Sequence, residues 1–288
     1  MSEGRFIESS VGSSDGTPIW FRTSGAGEDL LILGGSLRSA EHYIGLATAL
    51  ASDFRVHVID RRGRGLSGPQ GPEYSLAREV EDVLAVQHAT GARLAFGHSF
   101  GGLVLLEAAL RSDPFERVAV YEPGVPMTPV ATEWFEPYEQ RLAAGDPRGA
   151  FVDFLRGSGG APPMFAKLPH WYLRLALRVG FRGDAWLRIR QLLETNLAEH
   201  RVIAAQVGRT QEFRAVSAAV LIMSGDRSAK GTAAELGELA RILPAGELVV
   251  LPRLDHFAPE ATPAAAVVSY TRGFLRPPSP LRNAYATD

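Results

Sequence analysis

Gly97-His98-Ser99-Phe100-Gly101-Gly102 stands between the apolar run RLAFGHS (93–99) and the helix-periodic LVLLEAALRSD (103–113). A short apolar run followed at once by a helical period reads as a buried strand turning sharply into a helix. Such a turn strains its central residue and crowds the neighbours, so small residues are needed on both sides, and Gly97 and Gly101 supply them. The helix start adds unpaired N–H groups and the positive end of the helix dipole beside Ser99. The same six residues also suit a plain glycine-rich turn with a serine N-cap, so the surrounding sequence has to discriminate.

Working outward, DLLILGG (29–35), RVHVID (55–60) and RVAVYEP (117–123) are further short apolar runs separated by helical stretches such as SLAREVEDVLAVQHATG (75–91). That alternation predicts a largely parallel sheet. Ahead of them, RFIESSV (5–11) and PIWFRTSG (18–25) flank Asp15-Gly16, a pair suited to a tight hairpin, so the opening strands are expected to be antiparallel. Past Pro123 the strand signals stop, and stretches such as PVATEWFEPYEQRLAAGDP (129–147) carry a helical period until AAVLIMSGD (218–226) and GELVVLP (246–252). The expected layout is one core from 1–123 and 215–276, a helical cap over 124–214, and a loosely ordered tail at 277–288. RGSGGAPP (156–163) reads as a loop or a hinge within the cap.

Two more segments fall where a nucleophile at Ser99 needs them. Leu33-Gly34-Gly35-Ser36 ends a strand with glycines that let backbone amides approach a developing negative charge, so the backbone N–H groups of Ser36 and Phe100 are the candidate oxyanion hole. A simple turn is the alternative there. Asp60-Arg61-Arg62-Gly63-Arg64-Gly65-Leu66-Ser67-Gly68 reads as a tight structural loop whose charges pair locally.

With the G-x-S-x-G elbow, the D-R-x-G-x-G-x-S loop and the glycine-rich turn in view, the chain resembles the α/β-hydrolase fold family from about residue 5 to residue 275. The resemblance implies a mostly parallel eight-stranded sheet flanked by helices, with the cap inserted after strand 6. Gly34 stands where the family usually has a histidine. The family's chain order of nucleophile, acid and base singles out His256, in LPRLDHFAPE (251–260), from the chain's 7 histidines. Most relatives place the acid after strand 7, where this chain has Gly225-Asp226-Arg227-Ser228 with serine at the expected position. Others place it after strand 6, where Glu122 lies. Glu122 is the favoured acid, Asp226 the alternative, and a dyad with no working acid remains open. The dehalogenase and epoxide-hydrolase branches use aspartate where this chain has Ser99, which disfavours those reactions.

Composition narrows the rest. A net charge of -2 and a content of 45% hydrophobic and 22% charged residues describe a folded chain without the basic excess that nucleic acid requires. No apolar run approaches a membrane span, the N-terminus lacks the order of a signal peptide, and with 0 Cys there is no disulfide or thiolate chemistry. A cytoplasmic chain needing no metal and no cofactor is expected. Helix-spaced rings of the aromatic-rich cap, Trp134, Phe165 and Trp171 among them, more often pack a core than line a pocket. Those left over suggest a pocket that includes Gly35, Trp134 and Trp171 and a small to medium hydrophobic or aromatic substrate. The resulting expectation is a serine esterase. Thioesterase, acyltransferase and carbon-carbon bond hydrolase readings use the same residues, and a non-catalytic small-molecule receptor on the same fold stands as the alternative outside enzymes.

Overall fold

The computed structural model describes residues 5–158 and 167–276. Phe165, most of the segment 156–163 and the tail 277–288 therefore lie outside the described residues.

The strands are β1 (Ile7–Gly12), β2 (Pro18–Ser24), β3 (Glu28–Leu33), β4 (Phe54–Ile59), β5 (Leu94–His98), β6 (Arg117–Tyr121), β7 (Ala219–Gly225) and β8 (Gly246–Leu251). They form one eight-stranded sheet in the order β1-β2-β4-β3-β5-β6-β7-β8. Only β2 runs against its neighbours, pairing antiparallel with β1 and β4. From β4 to β8 every pairing is parallel. The expected hairpin and the parallel sheet are both present. The middle strands are buried on both faces, as their unbroken apolar runs require, while β1, at the edge, is half exposed.

Helices cover the two faces. On one side, α2 (Leu76–Thr90) and α3 (Phe100–Ser112) pack with Val83, Val86, Val104 and Leu105 against Leu31, Leu33 and Val120 of the sheet. On the other, Leu46 and Leu50 of α1 (Ile44–Leu50) and the Tyr43 just before it pack against Ile32, Val56 and Phe96. The sequence signals for α2 act as expected: Ser75 caps its start by accepting from Arg78 N–H at 3.4 Å, and Gly91, at φ 74°, ends it in the left-handed conformation that glycine adopts without penalty.

Between β6 and β7 the described residues form α4 (Phe135–Ala143), α5 (Pro147–Gly157), α6 (His170–Gly180), α7 (Gly183–Gln191) and α8 (Leu193–Ala204). This helical insertion has its own apolar cluster, with Trp134, Tyr138, Phe151, Trp186, Leu193 and Leu197 packed around Leu37 from the core. Leu37 directly follows Ser36, so the insertion is seated on the expected oxyanion turn. After β7 come α9 (Thr232–Ile242), β8 and finally α10 (Ala265–Leu275). Among the described residues no helix is long and apolar enough to cross a membrane.

Candidate active site

The C-terminal ends of β3, β5, β6 and β7 converge on Ser99. Its backbone has φ 52° and ψ −122°, a region that costs a non-glycine residue on the order of 1–3 kcal/mol. The surroundings over-determine it: Ser99 N–H donates to Tyr121 O at 3.0 Å, and Ser99 O accepts from Gly102 and Gly124 N–H at 2.9 and 2.8 Å. The flanking glycines are demanded by contact. A Cβ on Gly97 would lie 2.7 Å from Gly102 Cα, and one on Gly101 would lie 2.5 Å from Leu33 O. Phe100 opens α3, so its N–H has no carbonyl one turn back to donate to.

The Gly34-Gly35-Ser36 turn lies alongside. A Cβ on Gly35 would come within 3.0 Å of Ser99 Cβ. At Gly34 a Cβ would sit 2.4 Å from Tyr43 Cε2. The Tyr43 ring thus fills the space, and its hydroxyl does the bracing. Tyr43 Oη accepts from Gly35 N–H at 3.0 Å and lies 2.7 Å from His98 Nδ1, while His98 Nε2 lies 2.9 Å from His256 O. These contacts form one directional chain if His98 is the neutral Nε2–H tautomer. Burial, followed by the charges of His256 and Arg38, holds the His98 imidazole well below its ordinary pKa, consistent with that form.

Glu122 and His256 meet as the strand-6 reading expects. His256 Nδ1 lies 2.7 Å from Glu122 Oε2. Glu122 itself has φ 44°, and this turn at the end of β6 swings its carboxylate across to β7. There Oε1 accepts from Ser224 Oγ at 3.0 Å, Gly225 N–H at 2.9 Å and Ser228 Oγ at 2.5 Å. Burial works to raise this carboxyl's pKa, but the hydrogen bond and charge of His256, joined by the Ser228 and Gly225 donors, hold it below the usual glutamate value. Ser228, at the position expected for an acid after β7, therefore donates to the Glu122 carboxylate.

Asp226 is placed differently. Its Oδ1 accepts from Arg253 N–H at 2.6 Å, so it shapes the loop ahead of His256 and makes no contact with the imidazole. Asp255 turns back onto Phe257 N–H at 3.0 Å. Among the described residues Ser99 Oγ makes no hydrogen bond to His256, a looseness common in sites without substrate.

Of the three expected pocket residues, the structure brings Gly35 to Ser99 and places the tryptophans elsewhere. Trp134 is buried in the insertion's own core against Phe135, Tyr138 and Phe154. Trp171 is 67% exposed on α6. A helical period tells that a ring lies on an apolar face, not which neighbour covers that face. A cavity of about 390 Å³ opens near the turn, lined by Arg22, His42, Asp60, Arg64 and Arg188 among others, a polar lining that does not include Ser99.

The loop after β4 does more than pair locally. Asp60 and Arg62 do pair nearby, with Arg22 at 3.1 Å and Asp82 at 2.7 Å. Arg61 and Arg64 instead reach the carbonyls of the oxyanion turn. Neither this contact nor the Tyr43–His98 connection was readable from local sequence, because each joins residues far apart in the chain.

These observations agree with comparisons to known proteins. The chain is 25% identical over 254 residues to 2-(acetamidomethylene)succinate hydrolase of Mesorhizobium japonicum, covering 87% of this chain and 89% of that one. It is 41% identical over 93 residues to the pimeloyl-[acyl-carrier protein] methyl ester esterase of Edwardsiella ictaluri, a match spanning 32% of this chain and 35% of that protein. The crystal structure of an alpha/beta hydrolase from Sphaerobacter thermophilus matches with a TM-score of 0.73 and 31% identity over 84% of this chain and 92% of that one. The model of the "Alpha/beta hydrolase family" matches residues 30–270, and with most of its length so covered the chain belongs to the alpha/beta hydrolase family.

Proposed function

We propose that this hydrolase is a serine esterase that cleaves a carboxylic ester of a small to medium hydrophobic substrate through an acyl-enzyme on Ser99. The observation that carries the reading is the 2.7 Å contact between His256 Nδ1 and Glu122 Oε2 at the sheet edge that also presents Ser99. With its proton held on Nδ1 by the carboxylate, the imidazole keeps Nε2 as the basic nitrogen.

In this mechanism Ser99 Oγ attacks the ester carbonyl as its proton passes to His256 Nε2. Glu122 stabilises the imidazolium that results, and the N–H groups of Phe100 and Ser36 receive the charge that forms on the carbonyl oxygen. His256 then protonates the leaving alkoxide. Water, deprotonated by the same nitrogen, releases the acid and restores Ser99. The methyl ester esterases among the relatives support an ester as the bond cleaved.

The test is p-nitrophenyl butyrate hydrolysis by wild type and Ser99→Ala, with mass spectrometry of wild type after exposure to a fluorophosphonate. Turnover that vanishes in Ser99→Ala and a single adduct on Ser99 are expected. Equal rates in the two proteins and an unlabelled Ser99 would refute the proposal.

A further inference from the structure

Beneath the oxyanion turn lies a cluster of buried charges that the proposed chemistry does not use directly. Arg61 Nη1 donates to Glu79 Oε1 at 2.7 Å and its Nη2 to Glu199 Oε1 at 3.0 Å, while Arg64 Nη2 donates to the same Glu199 oxygen. These four side chains are at most 2% exposed. Two guanidinium groups and two carboxylates cancel in charge, yet burying such a set is often no better for stability than an apolar core of the same volume. What the cluster supplies is geometry.

Both arginines direct other N–H groups at the turn. Arg61 Nε donates to Gly34 O at 3.0 Å and Arg61 Nη2 to Gly35 O at 3.0 Å. Arg64 Nη1 donates to Gly35 O at 3.3 Å and to Arg38 O at 3.1 Å. A trans peptide points its N–H opposite to its carbonyl. Holding Gly35 O from one side therefore fixes the direction of Ser36 N–H on the other, and a cation on the carbonyl polarises that peptide into a better donor. The Gly35 N–H is already taken by Tyr43, whereas among the described residues Ser36 N–H has no acceptor.

Glu199 does not belong to the core. It sits on α8, in the insertion, and it is the one carboxylate shared by both arginines. Burial works to raise its pKa, but the charges of Arg61 and Arg64 keep it lowered and ionised.

We propose that Glu199 is a positioning residue for the oxyanion hole, reaching from the cap through Arg61 and Arg64 to aim the Ser36 N–H, so that a seated cap is a condition of catalysis and not only a cover. This rests on the reading of Ser99 as the nucleophile. If the cap lifts, two guanidinium groups face Glu79 alone, and the peptide that carries the donor loses its fixed orientation.

The test compares Glu199→Gln with Leu197→Ala, which trims one side chain from the apolar cluster on the same helix and leaves in place the Glu199 contacts that seat the cap on Arg61 and Arg64. On p-nitrophenyl butyrate, Glu199→Gln is expected to lower kcat about tenfold or more with KM changed less than about threefold, since a misdirected oxyanion donor acts in the transition state. The inhibition constant of phenylboronic acid, whose serine adduct carries a tetrahedral anion, should rise in parallel, while that of butyrate stays put. In the ¹⁵N-labelled protein without ligand, the Gly35 and Ser36 amide resonances should move in Glu199→Gln and hold in Leu197→Ala. Unmoved amides, or equal losses of boronate affinity in the two variants, would overturn the inference whether or not the protein turns over the ester. Wild type no faster than Ser99→Ala, with the amides still shifted by Glu199→Gln, would overturn the esterase reading alone.

Discussion

Replacing Glu122 by glutamine probes the proposed triad with almost no change of shape. Glu122 Oε1 accepts three hydrogen bonds, from Ser224 Oγ, Gly225 N–H and Ser228 Oγ, and Oε2 faces His256 Nδ1. A glutamine has one oxygen and one NH₂ to offer these two sides. The Gly225 N–H can only donate, so an NH₂ on that side would set donor against donor in a buried site, at a cost of about 1–3 kcal/mol. The oxygen therefore stays on the three donors and the NH₂ turns to His256. Nδ1 must then accept, which moves the ring proton to Nε2 and leaves no lone pair for the Ser99 proton. In a related triad the same change of tautomer lowers kcat about 10⁴-fold, or about 5.5 kcal/mol, and a loss of that order is expected here. The assay is p-nitrophenyl butyrate hydrolysis at pH 7.5, with thermal unfolding to verify that the variant folds. Asp226→Asn is the contrast: asparagine keeps an oxygen for Arg253 N–H, so kcat should fall less than about threefold. A Glu122→Gln enzyme within tenfold of wild type, beside a crippled Asp226→Asn, would refute the assignment of the acid.

Tyr43→Phe strips the acceptor from Gly35 N–H and the partner from His98 Nδ1, both buried, and should destabilise the protein by about 1–3 kcal/mol in urea unfolding. A change within about 0.5 kcal/mol would contradict the bracing role. Gly34→Ala drives a methyl against the buried Tyr43 ring and should cost about 1–3 kcal/mol, with relief when combined with Tyr43→Ala in a double-mutant cycle. His57 and His98 are both buried with pKa values held below the ordinary 6.5, burial being the first cause in each. Below about pH 6.5 the unfolded chain takes up protons that these folded imidazoles refuse, so stability should fall with falling pH there, at a limiting slope of about 1.4 kcal/mol per pH unit for each. Denaturant titrations at pH 7 and 6 measure it, and a curve flat over that interval would contradict two neutral buried imidazoles.

Much of the architecture was legible in local sequence because its causes are local. Apolar runs such as 29–35 and 117–123 could be buried only as central strands, Asp15-Gly16 made the hairpin, and the glycines around Ser99 announced a crowded turn. The order of motifs also directed attention to His256, and the serine at position 228 was a visible departure whose meaning stayed hidden. What local sequence could not carry were contacts between residues brought together by the fold. The cap tryptophans show this at its plainest, since Trp134 and Trp171 share a helical, aromatic context yet one is buried in the cap and the other exposed.

The sheet, the elbow at Ser99 and the turn at Gly34–Ser36 follow from local sequence, because strand period, glycine placement and helix starts act over a few residues. Which carboxylate faces His256, Glu122 or Asp226, could be seen only in the folded chain. That choice depends on a positive φ at the end of β6 and on three donors from β7 and its loop, which converge only when the two strands pair. The same holds for the ties from Tyr43 and Arg61 to the turn at Gly34–Gly35, and from Glu199 to Arg61. Each is a hydrogen bond between distant segments, and its existence depends on where the folded backbone places both ends.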